Sequence, residues 1–205
     1  MSILWTPSTQ CDGAVQLRQL QEILSQPPGF IQAIEDDSAL EAVEQIAATI
    51  PTEDSILLLG IGGSALGARA LADSLTPENT RELVILDNID PDTVEGHLSR
   101  LDLARTTILV ISKSGATAET SAQLLRAISA VQAAGVDPDQ KIIAITDREK
   151  GPLRALASSR NWRSLGVPSD VSGRFSVMTA VGWLPAILVG IDIRKLVSGA
   201  KNCLE

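Results

Sequence analysis

Four short, uninterrupted apolar runs recur along the chain, at Ile56 to Leu59, Leu83 to Leu86, Ile108 to Ile111 and Ile142 to Ile145. Each is too short for a helix and rich in branched side chains, as β-strands are. None alternates apolar with polar residues, so both faces of each strand are expected to be buried, which is typical of a parallel sheet. A less regular fifth run, Trp162 to Leu165, predicts a fifth strand.

Helical patterns separate these runs at the spacing of successive βαβ units. In the clearest, Thr117 to Ala134, the residues Leu124, Ile128 and Val131 form one apolar stripe, and Gly135 is placed to end the helix. The sequence therefore predicts a doubly wound α/β fold. Its mainly parallel five-stranded sheet has helices on both faces, as in a Rossmann-like three-layer sandwich.

Two further helices, Ala14 to Leu24 and Ala39 to Ile50, precede the first strand and are separated by the breaker Pro27-Pro28-Gly29. We therefore expect an N-terminal helical segment, residues 1–50, that packs on the core. Residues 51–205 are expected to form the ligand-binding domain.

The 205-residue chain has a net charge of −8, which argues against a nucleic-acid partner because such proteins present a basic face. Its longest apolar stretch, Val177 to Ile191, is shorter than the about 20 residues that span a membrane, and predicts a buried helix instead. The N-terminus lacks the pattern of a secretory signal. Cys11 and Cys203 match no zinc or redox spacing, so we expect free thiols, no metal site and a cytoplasmic location.

Two polar loops follow the first and third predicted strands: Gly60 to Gly67 and Ser112 to Thr117. Each opens a helix, where backbone N–H groups favour an anion. Ser64 in the first loop is placed to cap its helix, and Lys113 adds a positive charge to the second. Together the loops predict a small phosphorylated ligand between them, although tight strand-to-helix turns with good caps would share the pattern.

A dinucleotide site is the competing interpretation. Gly60, Gly62 and Ala65 satisfy a GxGxxA pattern after a strand, and Asp87 ends the second strand, where an acid that binds ribose would fall. This interpretation gives no role to the loop from Ser112 to Thr117, so we favour the small phosphorylated ligand and expect no cofactor.

The strings GIGGSALG, LDNIDPDT, SKSGATAET and SGRFSVMTAVGWLPAILVGIDI resemble the glucose-6-phosphate isomerase family in order and relative spacing, from about Ile56 to Ala200. The first and third strings suit any sugar-isomerase (SIS) domain. The last, centred on an arginine, is particular to phosphoglucose isomerases. The resemblance implies an N-terminal SIS domain of an enzyme that interconverts glucose 6-phosphate and fructose 6-phosphate.

The resemblance also implies roles for individual residues. The second loop would hold the phosphate, the first loop and the glycine before the arginine would contact the sugar, and the arginine would stabilise the enediolate intermediate. The corresponding residues are Ser112, Lys113, Ser114, Gly115, Ala116 and Thr117 for the phosphate, Gly63, Ser64 and Gly173 for the sugar, and Arg174 for the intermediate.

Arg174 suits this role because a fixed guanidinium stabilises charge that develops only during the reaction. From the residues alone, a structural ion pair is the alternative for it. Ser172 stands where the family has glycine. If that position requires positive φ, the serine Cβ restricts the turn that carries Arg174.

Proton transfer also needs a general base. The family supplies a glutamate, a histidine and a lysine from beyond the matched region, the histidine from the partner subunit. His97 is expected on the surface, and Glu119 is expected to complement the dipole of its helix. The chain thus resembles the N-terminal half of a homodimeric enzyme, without the C-terminal SIS domain, and Leu204-Glu205 resembles a cloning remnant. A stand-alone module that senses sugar phosphates is the alternative.

Overall fold

The computed structural model describes residues 13–25, 27–78 and 80–204. Its five strands all run parallel, in the spatial order β2-β1-β3-β4-β5, so the predicted parallel sheet is confirmed. Leu58 at the centre of β1 lies opposite Ile85 on one side and Leu109 on the other. The strands are β1 Ser55–Leu59, β2 Leu83–Leu86, β3 Thr106–Ile111, β4 Ile142–Asp147 and β5 Arg163–Val167.

Helices connect the strands throughout the described part of the chain. They are α1 Gly13–Ser25, α2 Gly29–Gln32, α3 Asp37–Ala47, α4 Gly63–Leu75, α5 Pro91–Leu98, α6 Ala118–Ala133, α7 Pro152–Ser159, α8 Ala180–Leu188 and α9 Ile193–Asn202. The described residues also form four short 3₁₀ segments: Ala33–Glu35, Leu103–Arg105, Pro138–Gln140 and Gly173–Met178.

The core forms two apolar layers, one on each face of the sheet. Ile56 and Leu58 pack into the layer that includes α3, α4, α8 and α9. Leu57 and Leu59 pack into the opposite layer with α5, α6 and α7. All four side chains are fully buried, as expected where successive residues of a strand face two covered sides. The three-layer arrangement predicted from the sequence is confirmed.

The N-terminal helices differ slightly from expectation. Helix α3 begins at Asp37 rather than at Ala39, because the Asp36 carboxylate accepts a hydrogen bond from the Ala39 amide at 3.0 Å and caps the helix there. Leu40 and Val43 attach α3 to the core. The last residue of the predicted break, Gly29, already begins the short helix α2, which the sequence pattern did not indicate.

The apolar stretch from Val177 to Ile191 is not one helix, so this prediction was wrong. It begins inside a 3₁₀ segment and continues as α8 only from Ala180. Thr179 separates the two elements: its backbone is extended, and its hydroxyl accepts a hydrogen bond from the Val181 amide at 3.3 Å. The whole of α8 is nevertheless buried except Ile187, as expected for a core helix.

Candidate functional site

The two polar loops lie side by side at one edge of the sheet. Strand β1 lies between β2 and β3, so the chain leaves β1 toward one side and continues from β3 on the other. Such a reversal opens a crevice at the carboxyl ends of the two strands, where open α/β sheets bind ligands. Residues 60–62 join β1 to α4, and residues 112–117 join β3 to α6. Both loops therefore border the crevice.

In the first loop, the helix cap differs from the prediction. Gly62 is the capping residue, with φ of 57°, and its carbonyl accepts hydrogen bonds from the amides of Ala65 and Leu66 at 2.9 and 2.8 Å. Ser64 already lies in the first turn of α4, so the prediction that it caps this helix was wrong. A positive φ is readily adopted by glycine, which explains why the chain can turn there without a capping side chain.

Gly63 brings the arginine segment to the first loop. A Cβ built on Gly63 would lie 2.2 Å from the carbonyl oxygen of Gly173 and 2.8 Å from the amide nitrogen of Arg174. One turn further along α4, a Cβ on Gly67 would meet the Val177 side chain at 2.9 Å. The 3₁₀ segment therefore lies directly on the start of α4. This contact sets Arg174 beside the first loop.

Ser172 is accommodated without strain. Its φ and ψ are −74° and 154°, ordinary extended values, so the expectation that a Cβ restricts this position was wrong. Its carbonyl accepts a hydrogen bond from the Phe175 amide at 2.9 Å, which closes the first turn of the 3₁₀ segment. Its hydroxyl oxygen is buried and has no partner within the described part of the chain.

The hydroxyls of the second loop organise the loop itself. The side-chain oxygens of Ser112 and Thr117 form a hydrogen bond at 3.0 Å, and the Gly115 amide donates to the Ser112 hydroxyl at 3.1 Å. The Ser114 hydroxyl accepts from the Ala116 amide at 3.2 Å. Because Ser112 is only 3 % exposed, its hydroxyl forms the floor of the loop and the other groups curl above it.

The second loop ends at the N-terminus of α6, a helix of 16 residues. Thr117 is its capping residue, but the Thr117 hydroxyl makes no capping bond. The first N–H groups of a helix have no partner inside it and carry the positive end of the helix dipole. Glu119 lies in this first turn, as predicted from the sequence. The arrangement can receive an anion such as a phosphate.

Lys113 joins the second loop to a third one. Its ammonium group donates a hydrogen bond to the carbonyl oxygen of Ser169, 2.7 Å away, in the loop that follows β5. Lys113, Ser114 and Ser169 line a cleft of about 540 Å³, together with Asp147, Lys150 and Gly151. The charge of Lys113 thus lies at the side of the loop, where it also holds a neighbouring segment.

Comparison with known proteins identifies the family. The sequence model described as phosphoglucose isomerase matches residues 8–204. The chain belongs to the phosphoglucose isomerase family. A protein of Haloarcula marismortui named a probable glucose-6-phosphate isomerase is 42% identical over 165 residues, which are 80% of this chain and 37% of the relative. The chain thus spans well under half the length of this relative.

Solved structures agree with this assignment. A hypothetical protein of Thermus thermophilus superposes with a TM-score of 0.84 at 34% identity, over 91% of this chain and 46% of the other. A glucose-6-phosphate isomerase of Chlamydia trachomatis superposes with a TM-score of 0.65 at 23% identity, over 96% and 35%. The second likeness supports the fold, a SIS-type sheet flanked by helices.

The candidate site also includes residues that the sequence patterns did not indicate. Asp147 ends β4, and its carboxylate accepts hydrogen bonds from the amides of Glu149 and Lys150 at 3.0 and 3.1 Å. These bonds hold the pKa of the Asp147 carboxyl below its usual range. The turn so formed leads to α7, beside the second loop. Its position after a buried strand, like that of Asp87, is the signal that could have found it.

Gln123 is a second residue that the sequence analysis missed. Its side-chain amide donates hydrogen bonds to the carbonyl oxygens of Leu86 and Asn88 at 3.0 and 2.8 Å, and thereby ties α6 to the end of β2. Gln123 and Thr120 are 2 % and 3 % exposed, on the face of α6 that also buries Leu124. Polar residues at the N-terminal end of an apolar stripe were the available signal.

Two residues considered in the sequence analysis, Asp87 of the dinucleotide interpretation and His97, have side-chain partners of their own. Asp87 forms an ion pair with Arg69 of α4, at 2.9 Å between the guanidinium and the carboxylate. His97 lies partly exposed in the last turn of α5, so the parallel topology puts it at the opposite edge of the sheet from the loops. Arg100 contacts its ring at 3.1 Å. His97 is therefore remote from the crevice, and the Asp87 carboxylate is engaged by Arg69.

Other features of the described residues bear on cofactors and location. Residues 13–25, 27–78 and 80–204 contain no group of three or more histidine, cysteine, aspartate or glutamate side chains placed to hold a metal ion. None of the helices in these ranges is long and apolar enough to cross a membrane. Cys203 is a free, exposed thiol, whereas Cys11 lies outside the described residues.

Proposed function

We propose that this chain forms the sugar-phosphate-binding part of a glucose-6-phosphate isomerase, which interconverts glucose 6-phosphate and fructose 6-phosphate. The observation that carries the proposal is the contact between Gly63 and Gly173. It brings the backbone of Arg174 next to one of the two loops that flank the crevice, so the Arg174 side chain would reach a sugar phosphate bound between the loops. In this proposal residues 51–205 form the binding domain, on which residues 1–50 pack.

The phosphate would bind at the second loop. The hydroxyls of Ser114 and Thr117 and the amides of Lys113, Ser114 and Thr117 would donate to its oxygens. The Ser112 hydroxyl would instead donate to Thr117, and the amides of Gly115 and Ala116, which bond to the Ser112 and Ser114 side chains, would hold the loop in shape. Hydrogen bonds to a charged group are stronger than those between neutral groups, and the dipole of α6 adds to them. The net charge of −8 gives no general attraction for anions, so the selectivity for phosphate must arise from this loop.

The sugar would extend from the phosphate toward the first loop, where Gly63, Ser64 and Gly173 border it. Moving a proton between adjacent carbons creates negative charge on two neighbouring oxygens. Arg174 would stabilise that charge, and one such fixed donor typically contributes about 3 kcal/mol to the transition state. The guanidinium is exposed on the 3₁₀ segment and is therefore accessible to a bound sugar.

The general base would come from outside this chain. His97 lies at the opposite edge of the sheet from the two loops, and Asp87 forms an ion pair with Arg69. Glu119 lies in the first turn of α6, where its charge complements the helix dipole. The relatives from Haloarcula marismortui and Thermus thermophilus are each more than twice as long as the region of likeness. We propose that a second SIS domain, within a cytoplasmic homodimer, supplies the base, so that the present chain binds sugar phosphates but turns over little or no substrate.

Calorimetric titration and an isomerase assay test this proposal. The purified chain is titrated with fructose 6-phosphate and with fructose, and is then assayed for formation of glucose 6-phosphate. We expect saturable binding of the phosphorylated sugar alone and no measurable turnover. Equal binding of both sugars would contradict the phosphate site, and turnover near that of a complete isomerase would contradict the missing base.

A further inference from the structure

Arg174 is held by an aromatic ring rather than by a polar partner. Within the described part of the chain, its guanidinium makes no hydrogen bond and no ion pair; its Cζ lies 5.7 Å from the centroid of the Phe175 ring. A cation at this distance from a ring face is attracted by the ring's quadrupole. The direction of this long, exposed side chain therefore depends on the position of Phe175.

Phe175 depends in turn on Phe30. The Phe175 side chain is 48 % exposed, so the core alone does not fix it. Its ring stacks on Phe30 of α2, with the two centroids 5.1 Å apart and the ring planes inclined by 28°. Stacked pairs at such distances are favourable beyond the area that they bury. These are the two phenylalanines of the chain.

Helix α2 is itself attached to the loop that leads to the arginine. A Cβ on Gly29 would lie 2.1 Å from a carboxylate oxygen of Asp170, so the backbone of α2 and the Asp170 side chain are in direct contact. The Gln32 side chain donates to the Pro27 carbonyl at 2.7 Å and closes this short turn. The ring of Phe30 is therefore presented by a segment that is joined to the same loop at a second point.

We propose that Phe30 is a positioning residue that directs Arg174 through Phe175. The stack restricts the guanidinium to the face of the Phe175 ring before a ligand binds, so less side-chain freedom is lost when charge develops on the sugar oxygens. The inference rests on the proposed role of Arg174 in stabilising the enediolate. It gives the N-terminal segment, through Phe30, a role in positioning Arg174 in addition to packing on the core.

The test compares Phe30→Leu, which removes the ring, with Phe30→Tyr, which keeps it. Two probes are titrated: fructose 6-phosphate, and a phosphorylated sugar hydroxamate whose adjacent oxygens carry charge as in an enediolate. We expect Phe30→Leu to weaken hydroxamate binding roughly two- to tenfold, as the loss of one aromatic pair implies, with less than a twofold change for fructose 6-phosphate. Phe30→Tyr should restore hydroxamate binding. In an Arg174→Ala background, Phe30→Leu should have no further effect.

A second measurement needs no ligand. In the NMR spectrum of the free chain, the ring of Phe175 should shift the side-chain protons of Arg174, and Phe30→Leu should reduce this shift while Phe30→Tyr preserves it. Phe175→Leu should abolish it and serves as a second variant if Phe30→Leu does not fold. An unchanged shift, or an equal loss of affinity for both probes, would overturn the proposal. Failure of every variant and the wild type to bind sugar phosphates would instead contradict the proposed function.

Discussion

The Cα of Gly63 lies against the backbone carbonyl of Gly173, with no room for a side chain between them. The atoms of Gly173 and Arg174 that a Cβ on Gly63 would meet all belong to the backbone, which cannot move aside as a flexible side chain can. Gly173 itself faces open space, because a Cβ built on it meets no atom within 4 Å. The contact is therefore asymmetric, and the two glycines are a matched pair for substitution.

Gly63→Ala should lower the free energy of unfolding by about 1–3 kcal/mol, since a methyl group forced into a packed contact must displace backbone. Gly173→Ala adds the same methyl group without a clash and should change stability by less than about 0.5 kcal/mol. Urea denaturation of both variants measures the difference. Equal effects of the two substitutions would contradict the close contact between Gly63 and the 3₁₀ segment.

The sheet could be predicted from the sequence because its signal is local. Runs such as Ile56 to Leu59 lack alternation, and burial on both faces follows directly. The irregular run at Trp162 to Leu165 was two residues short of the end of β5, where Gly166 and Val167 continue the pairing with β4. The start of α8 was missed because hydropathy does not register the cap at Thr179.

The site was predictable as a set of loops but not as a set of contacts. Glycines and hydroxyls after buried strands indicated where a ligand would bind. Lys113 donates to the backbone carbonyl of Ser169, and Gln123 donates to those of Leu86 and Asn88. These carbonyls belong to segments that are distant in the sequence, and no pattern of residue types predicts such pairs. The contact of Phe30 with Phe175 likewise depends on the tertiary fold.

Gln123→Met should lower the free energy of unfolding by about 1–3 kcal/mol. Methionine has a similar shape, but it removes the two hydrogen bonds that the Gln123 amide donates to the carbonyl groups of Leu86 and Asn88, and leaves the Leu86 carbonyl with only the bond from the Gly60 amide. Gln132→Met is the control, because this residue of the same helix is exposed. It should change stability by less than about 0.5 kcal/mol. Thermal or urea unfolding of the two variants distinguishes the loss of the Gln123 hydrogen bonds from the general effect of replacing glutamine by methionine in this helix.

Asp147→Asn should make the free energy of unfolding fall less steeply as the pH is lowered. The pKa of Asp147 is lower in the folded chain than in the unfolded chain, because the amides of Glu149 and Lys150 donate to its carboxylate. Its contribution is therefore present above the unfolded pKa, at about pH 4, and is lost as the pH falls through the folded pKa. Asparagine does not titrate. Urea unfolding from pH 6 downward should show the advantage of the wild type shrinking in this window, and a constant difference would contradict the assignment.

Thr117→Val should weaken the binding of fructose 6-phosphate at least about tenfold, since the lost hydroxyl would donate to a charged phosphate and such bonds contribute about 1.5–3 kcal/mol. Valine also removes the hydrogen bond to Ser112, so Thr117→Ser, which keeps the hydroxyl, should restore most of the affinity. Ser129→Ala is the control: this hydroxyl lies on the same helix but donates to the Leu125 carbonyl, away from the loop. Calorimetric titration compares the four proteins. If Thr117→Val and Ser129→Ala bind fructose 6-phosphate alike, the second loop does not hold the phosphate through Thr117.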